Sequence, residues 1–169
     1  MAKFAERQLD KIIELAFETQ PAFSEWFLSR TKFSSRNAQR CFSRSNNPWC
    51  RMTIKITDPV TGEVREETLE SETDVLVVFQ DTSAGSKFAL HIENKLVNGK
   101  FTHLQPDLYH PRAQRWIADE CYGGYSEFAT VLIAPQVFYE RNIGECVKFD
   151  HFVSHEDIAR HLPEFGDSV

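Results

Sequence analysis

Asp74, Glu93 and Lys95 are the residues of this chain with the types and spacing best suited to chemistry. They lie in one stretch, ETDVLVVFQDTSAGSKFALHIENK, from Glu72 to Lys95. Thr73 to Phe79 is a β-branched apolar run, Asp81 to Ser86 is rich in Asp, Ser and Gly, and Lys87 to Lys95 is again apolar. That composition predicts strand, turn, strand. On the second strand Glu93 and Lys95 are two apart and project from one face, with Ile92 and Asn94 on the other. If the strands pair as a hairpin, Asp74 comes opposite the far end of the second strand, near Glu93. Two carboxylates and an ammonium then meet at one spot, a group suited to hydrolysing a phosphoryl ester. Mg²⁺ needs only one or two carboxylates and completes its shell with waters and substrate phosphate. It activates the water, and a lysine beside it steadies the developing oxyanion.

The neighbouring elements must position these groups. Lys3 to Thr19 has the period of an amphipathic helix, with Leu9, Ile12, Ile13, Ala16 and Phe17 on one arc. Glu6 falls at the edge of that arc, whereas Glu14 and Glu18 point away from it. Gln20-Pro21 ends the helix, and Ala22 to Ser29 is a second one. The stretch from there to Trp49 mixes Ser, Asn and Arg. Its Arg36, Arg40 and Arg44 are four apart, so a helix there would line them up on one face able to cover a phosphate backbone. Met52 to Thr57 and Val64 to Leu69 alternate as strands around the turn Asp58-Pro59-Val60-Thr61-Gly62. Glu72 shares a strand face with Asp74 and is a further ligand candidate. Beyond Lys95, Pro111 predicts a break after a first turn at Pro106 to Tyr109, then a helix from Pro111 to Cys121. Ala129 to Ala134 is a buried strand, Gln136 to Arg141 a short helix and Val147 to Val153 an edge strand. Ser154 caps a last helix running to Leu162. These elements contain the order helix, three strands, helix, strand, in an α/β fold with a mixed central sheet flanked by helices.

With 169 residues, 41% of them hydrophobic, the chain reads as a single domain, 1–169, able to bury a core. Cys41, Cys50, Cys121 and Cys146 form no C-x-x-C pair, which argues against a zinc finger and for reduced thiols in a cytoplasmic protein. No apolar run approaches a membrane span and no signal sequence opens the chain. No P-loop, dinucleotide fingerprint, serine elbow or paired-histidine zinc motif is present. The net charge of −6 is the opposite of that expected for a nucleic-acid binder. Its distribution is uneven, however. From Trp26 to Thr57 there is no acid, while Arg30, Lys32, Arg36, Arg40, Arg44, Arg51 and Lys55 contribute +7. Such an asymmetry can mark a local phosphate-binding face.

Asp74, then 18 residues, then Glu93-Asn94-Lys95 on an apolar strand resembles the core motif of the PD-(D/E)XK nuclease superfamily, with Thr73 where the name-giving proline would stand. The resemblance implies a restriction-endonuclease-like core. It also implies Mg²⁺ or Mn²⁺ held by Asp74, Glu93 and the Asn94 carbonyl, with Lys95 catalytic. Ala5-Glu6-Arg7-Gln8-Leu9 resembles the pattern in which a first-helix glutamate sits near the metal, which favours Glu6 over Glu14. Gln105 and Tyr109 resemble the Q-x-x-x-Y motif of recombination-type exonucleases, and would complete the catalytic pocket, with Arg112 adding a cation for phosphate. The expected activity is metal-dependent hydrolysis of nucleic-acid phosphodiesters, DNA before RNA, by a monomer or by a homodimer whose basic faces meet across a duplex. The alternative is an inactive member of the fold that binds nucleic acid or a protein.

Overall fold

The computed structural model describes residues 4–168, so Lys3, where the first helix was expected to start, lies outside it. In chain order the elements are α1 (Glu6–Thr19), α2 (Pro21–Leu28), β1 (Ala38–Arg44), β2 (Trp49–Thr57), β3 (Val64–Glu72), β4 (Val75–Asp81), β5 (Lys87–Asn94), α3 (Gln105–Arg115), β6 (Glu127–Ala134), α4 (Gln136–Arg141), α5 (Ile143–Cys146), β7 (His151–Ser154) and α6 (His155–Ile158). β2 and β3 form a separate hairpin, and the other strands make one mixed sheet in the order β1-β4-β5-β6-β7. β4 is antiparallel to both β1 and β5, while β5, β6 and β7 run parallel. The architecture is mixed α/β, with helices on the sheet. No helix of the described residues is long and apolar enough to cross a membrane.

β4 and β5 read as unbroken apolar runs because both of their faces are covered, as in the interior of parallel sheets. Val75, Val77, Phe79, Leu90 and Ile92 pack on Leu9, Ile13 and Phe17 of α1 and Phe27 of α2. Leu76, Val78 and Ala89 face Ala113 of α3 and Trp116 and Tyr125 beyond it. Phe79, fully buried, has Phe17 edge-on at 6.0 Å and Phe88 stacked at 5.5 Å. Cutting such a side chain back to alanine costs about 3–5 kcal/mol. The two layers clamp α1 and α3 to opposite faces of the sheet, so that both overhang the carboxyl end of β5.

Four elements differ from the sequence expectation, two of them only in extent: the last strand is His151–Ser154 instead of Val147 to Val153, and the last helix ends at Ile158 instead of Leu162. Residues 38–44 are an edge strand, not a helix, because Ala38 to Arg44 finds a ladder along β4. The register slips at Cys41, which puts Arg40 opposite Phe79 and Arg44 opposite Leu76, residues on opposite faces of the sheet. Arg36 lies before the strand and pairs with Asp81 at 3.3 Å and Glu127 at 2.9 Å. Asp81 is seven residues along β4 from Asp74, about 23 Å at the rise of a strand. The three arginines therefore make no common face. The remaining difference is α3, which runs unbroken through Pro111 and ends at Arg115 instead of Cys121. Pro111 gives up one helical hydrogen bond, but Tyr109 and Arg112 on either side of it are anchored in the interior.

Candidate active site

Asp74 sits where β3 passes into β4, and the antiparallel register that sets Val75 against Ile92 brings it beside the end of β5. There its Oδ2 accepts from the Asn94 amide at 2.8 Å and its Oδ1 from Asn47 Nδ2 at 3.0 Å. Glu93, fully buried, is held from three directions. Lys95 Nζ lies 2.6 Å from Oε1, Gln105 Nε2 donates to Oε1 at 2.7 Å, and the Tyr109 hydroxyl donates to Oε2. Gln105 and Tyr109 stand on the first turns of α3, one turn apart, so both reach the same carboxylate. Phe101 covers the Lys95 ammonium, with its ring centre 5.6 Å away. Asp74, Glu93, Lys95, Gln105 and Tyr109, expected from the sequence, are thus brought together.

Asn94 faces the other way, toward α1. Its Nδ2 donates to Asp10 Oδ1 at 2.8 Å and to the Glu6 carbonyl, and its Oδ1 is 2.9 Å from His155 Nε2. Glu6 Oε1 accepts from the Leu96 amide at 3.1 Å. Glu14 is bonded to Ser45 instead, so of the two helix glutamates only Glu6 reaches the site. Asp10, one turn after Glu6 and 1% exposed, was not anticipated. The signal was present: an aspartate inside the apolar arc of Leu9, Ile13 and Phe17 is buried by the same periodicity. Glu72 is exposed and lies across the hairpin from Trp49.

Arg112 is corrected. It was expected to hold phosphate, but it is fully buried because it faces the sheet from α3, its guanidinium 4.0 Å from the Tyr109 ring centre. Nη1 donates to Ser71 Oγ and Nε donates to Thr73 Oγ1 at 2.9 Å, and Nη2 has no partner. A polar chain continues from Thr73 through His91 Nδ1 at 3.1 Å, and from His91 Nε2 to the Tyr125 hydroxyl at 2.9 Å. The Tyr125 hydroxyl donates to the Ala113 carbonyl, so it accepts from His91 Nε2–H, and Nδ1 accepts from Thr73. Burial and the nearby Arg112 charge keep the imidazole neutral, its pKa well below the usual value. Both ends of this chain grip α3, which fixes where Gln105 and Tyr109 stand.

The electrostatics of the cluster are those of crowded acids. Burial first, then the charges of Glu93 and Asp10, hold the Asp74 pKa well above the carboxylate range. Burial pushes Asp10 up to about 7, against the Asn94 hydrogen bond and with the help of Glu93 and Glu6. Burial also raises Glu93, despite Lys95. For Lys95, burial acts to lower the pKa, but the Glu93 carboxylate outweighs it and the ammonium is kept. Four carboxylates, Glu6, Asp10, Asp74 and Glu93, thus share two cations, Lys95 and Arg112. A divalent cation beside Asp74 and Glu93 would relieve that repulsion. Among the described residues no three histidine, cysteine or carboxylate groups converge as a cage for an ion. Mg²⁺ does not need one, since it binds through one or two carboxylates and retains waters. The donor set therefore fits a hard divalent ion.

Fold and site together define an α/β protein with a buried carboxylate–lysine centre at the carboxyl end of a strand in a mixed sheet. In comparisons with known proteins the chain matches no family model, no curated protein and no solved structure.

Proposed function

We propose that this protein is a metal-dependent nuclease of the PD-(D/E)XK superfamily with a restriction-endonuclease-like core. The observation that carries the reading is the meeting of Asp74, Glu93 and Lys95 with Gln105 and Tyr109 at one point. Mg²⁺ or Mn²⁺ would be held by Asp74, Glu93 and the Asn94 carbonyl, with Glu6 and Asp10 in support. When bound it supplies activation of water and neutralisation of phosphate charge. The chain supplies the rest. Tyr109 and Gln105 fix the Glu93 carboxylate, and Glu93 in turn aims the Lys95 ammonium. Lys95 is desolvated under Phe101 and interacts more strongly there with a developing oxyanion than it would in water. Arg112 acts from behind as a fixed charge and holds no phosphate.

One observation favours a second reading, a module that binds without cutting. Both Glu93 oxygens are already engaged by protein donors. Cleavage of labelled single-stranded DNA, duplex DNA and RNA with Mg²⁺ or Mn²⁺ separates the two. Metal-dependent cutting that falls at least about 10²-fold in Lys95→Ala and Asp74→Ala supports the nuclease. Folded but inert wild type and variants that bind nucleic acid alike support the module.

A further inference from the structure

Beside the site lies a cavity of about 400 Å³, bounded by Trp49, Glu70, Ser71, Glu72, Gln105 and Leu108. It adjoins the machinery described above through Gln105, which also holds Glu93. Its chemistry is selective. No lysine or arginine lines it and two glutamates do, so it repels phosphate. Trp49 and Glu72 are paired directly across β2 and β3 and so project on the same face of the hairpin. Trp49 is 56% exposed, which is unusual for the largest apolar side chain. Glu70 is taken up by Arg51 at 3.3 Å, which leaves Glu72 as the open acceptor of the pair. Ser71, next along the strand, faces the opposite way, where its Oγ accepts from the buried Arg112. The set is an aromatic plane and an acceptor carboxylate, beside the proposed nuclease centre.

We propose that this cavity receives an unpaired nucleobase of the substrate strand, stacked on Trp49 and hydrogen-bonded through its donor edge to Glu72. The proposal rests on the nuclease reading and narrows its substrate to single strands, or to ends and loops with a base turned out. A paired base has its donor edge occupied and both faces stacked, and extracting it costs a few kcal/mol. Guanine suits the carboxylate best, because it offers two adjacent N–H donors. Thymine, with a single donor between two acceptors, suits it least.

The test is equilibrium binding of the full chain to a fluorescently labelled thymine tract carrying a single guanine, with and without its complement, in Ca²⁺ and in EDTA. Trp49→Leu is expected to weaken binding of the single strand about tenfold, the loss of one base–aromatic stack, and to leave duplex binding unchanged. Glu72→Gln is expected to reduce the preference for the guanine-bearing strand over an all-thymine one. Both side chains are exposed, and thermal melting checks that both variants stay folded. Wild-type affinity for the single strand in both variants overturns the proposal. Binding through Trp49 by a protein that cuts nothing with Mg²⁺ or Mn²⁺ keeps the base pocket and sinks the nuclease. Cutting that is unaltered by either substitution does the reverse. A wild type that neither binds nor cuts ends both.

Discussion

Asp10 gives the most quantitative expectation. Its carboxyl is 1% exposed and pushed up from 3.8 to about 7 by burial and by the neighbouring Glu93 and Glu6 charges. Between those two values the folded protein keeps a proton that the unfolded chain has released. Stability from this group is therefore fully present below about pH 4 and is lost as pH rises through about 7. The slope is at most about 1.4 kcal/mol per pH unit, and over roughly three units the loss approaches 4 kcal/mol as an upper bound. Asp10→Asn keeps the shape, and its amide oxygen can still accept from Asn94 Nδ2, but it does not titrate. Urea unfolding followed by circular dichroism between pH 4 and 8 in EDTA should show the variant close to wild type at pH 4. At pH 8 it should be more stable by a few kcal/mol. Asp74 titrates in both proteins, and because the Asp10 charge raises its pKa, the difference between the two curves reports Asp10 together with its coupling to Asp74. Mg²⁺ at pH 8 should stabilise the wild type, by mass action on a site that favours ionised carboxylates. A constant difference between the two proteins from pH 4 to 8 would refute the reasoning, since it would mean that Asp10 ionises as easily folded as unfolded.

Further outcomes follow from other contacts. Tyr109→Phe removes the hydroxyl donated to Glu93 and should weaken Mg²⁺ binding about 10–100-fold with the fold intact, as isothermal titration would show. Burial holds His155 down to about 3. It contributes stability above the ordinary histidine value that is lost as pH falls from about 6.5 toward 3, so His155→Gln should flatten the acid side of the unfolding curve. Arg36→Ala should leave the dependence of nucleic-acid affinity on log salt unchanged, because Arg36 is bonded to Asp81 and Glu127 at the far end of β4. A slope lowered by about one would show that it does meet phosphate.

Whatever depends on local period and composition is legible along the chain. The apolar runs made β4, β5 and β6, the arc of Leu9, Ile13 and Phe17 made α1, and the Asp–Ser–Gly turn set the hairpin register that carries Asp74 to Glu93. Alternation alone put Glu93 and Asn94 on opposite faces of β5. Tertiary structure decided what depends on elements distant in the chain. Residues 38–44 carry little apolar period because both faces of this edge strand are only partly buried, with Ala38 on one core and Phe42 on the other, and the ladder along β4 outweighs the helical spacing of its arginines. Arg112 looks like a surface cation in a polar helix, but the packing of α3 on the sheet turns it inward onto Ser71, Thr73 and the Tyr109 ring. Asp10 becomes part of the site because α1 crosses the end of β5 at Asn94, 84 residues away in sequence. A local pattern fixes which face a side chain takes. Which partner waits on that face is settled only when the sheet assembles and both layers close on it.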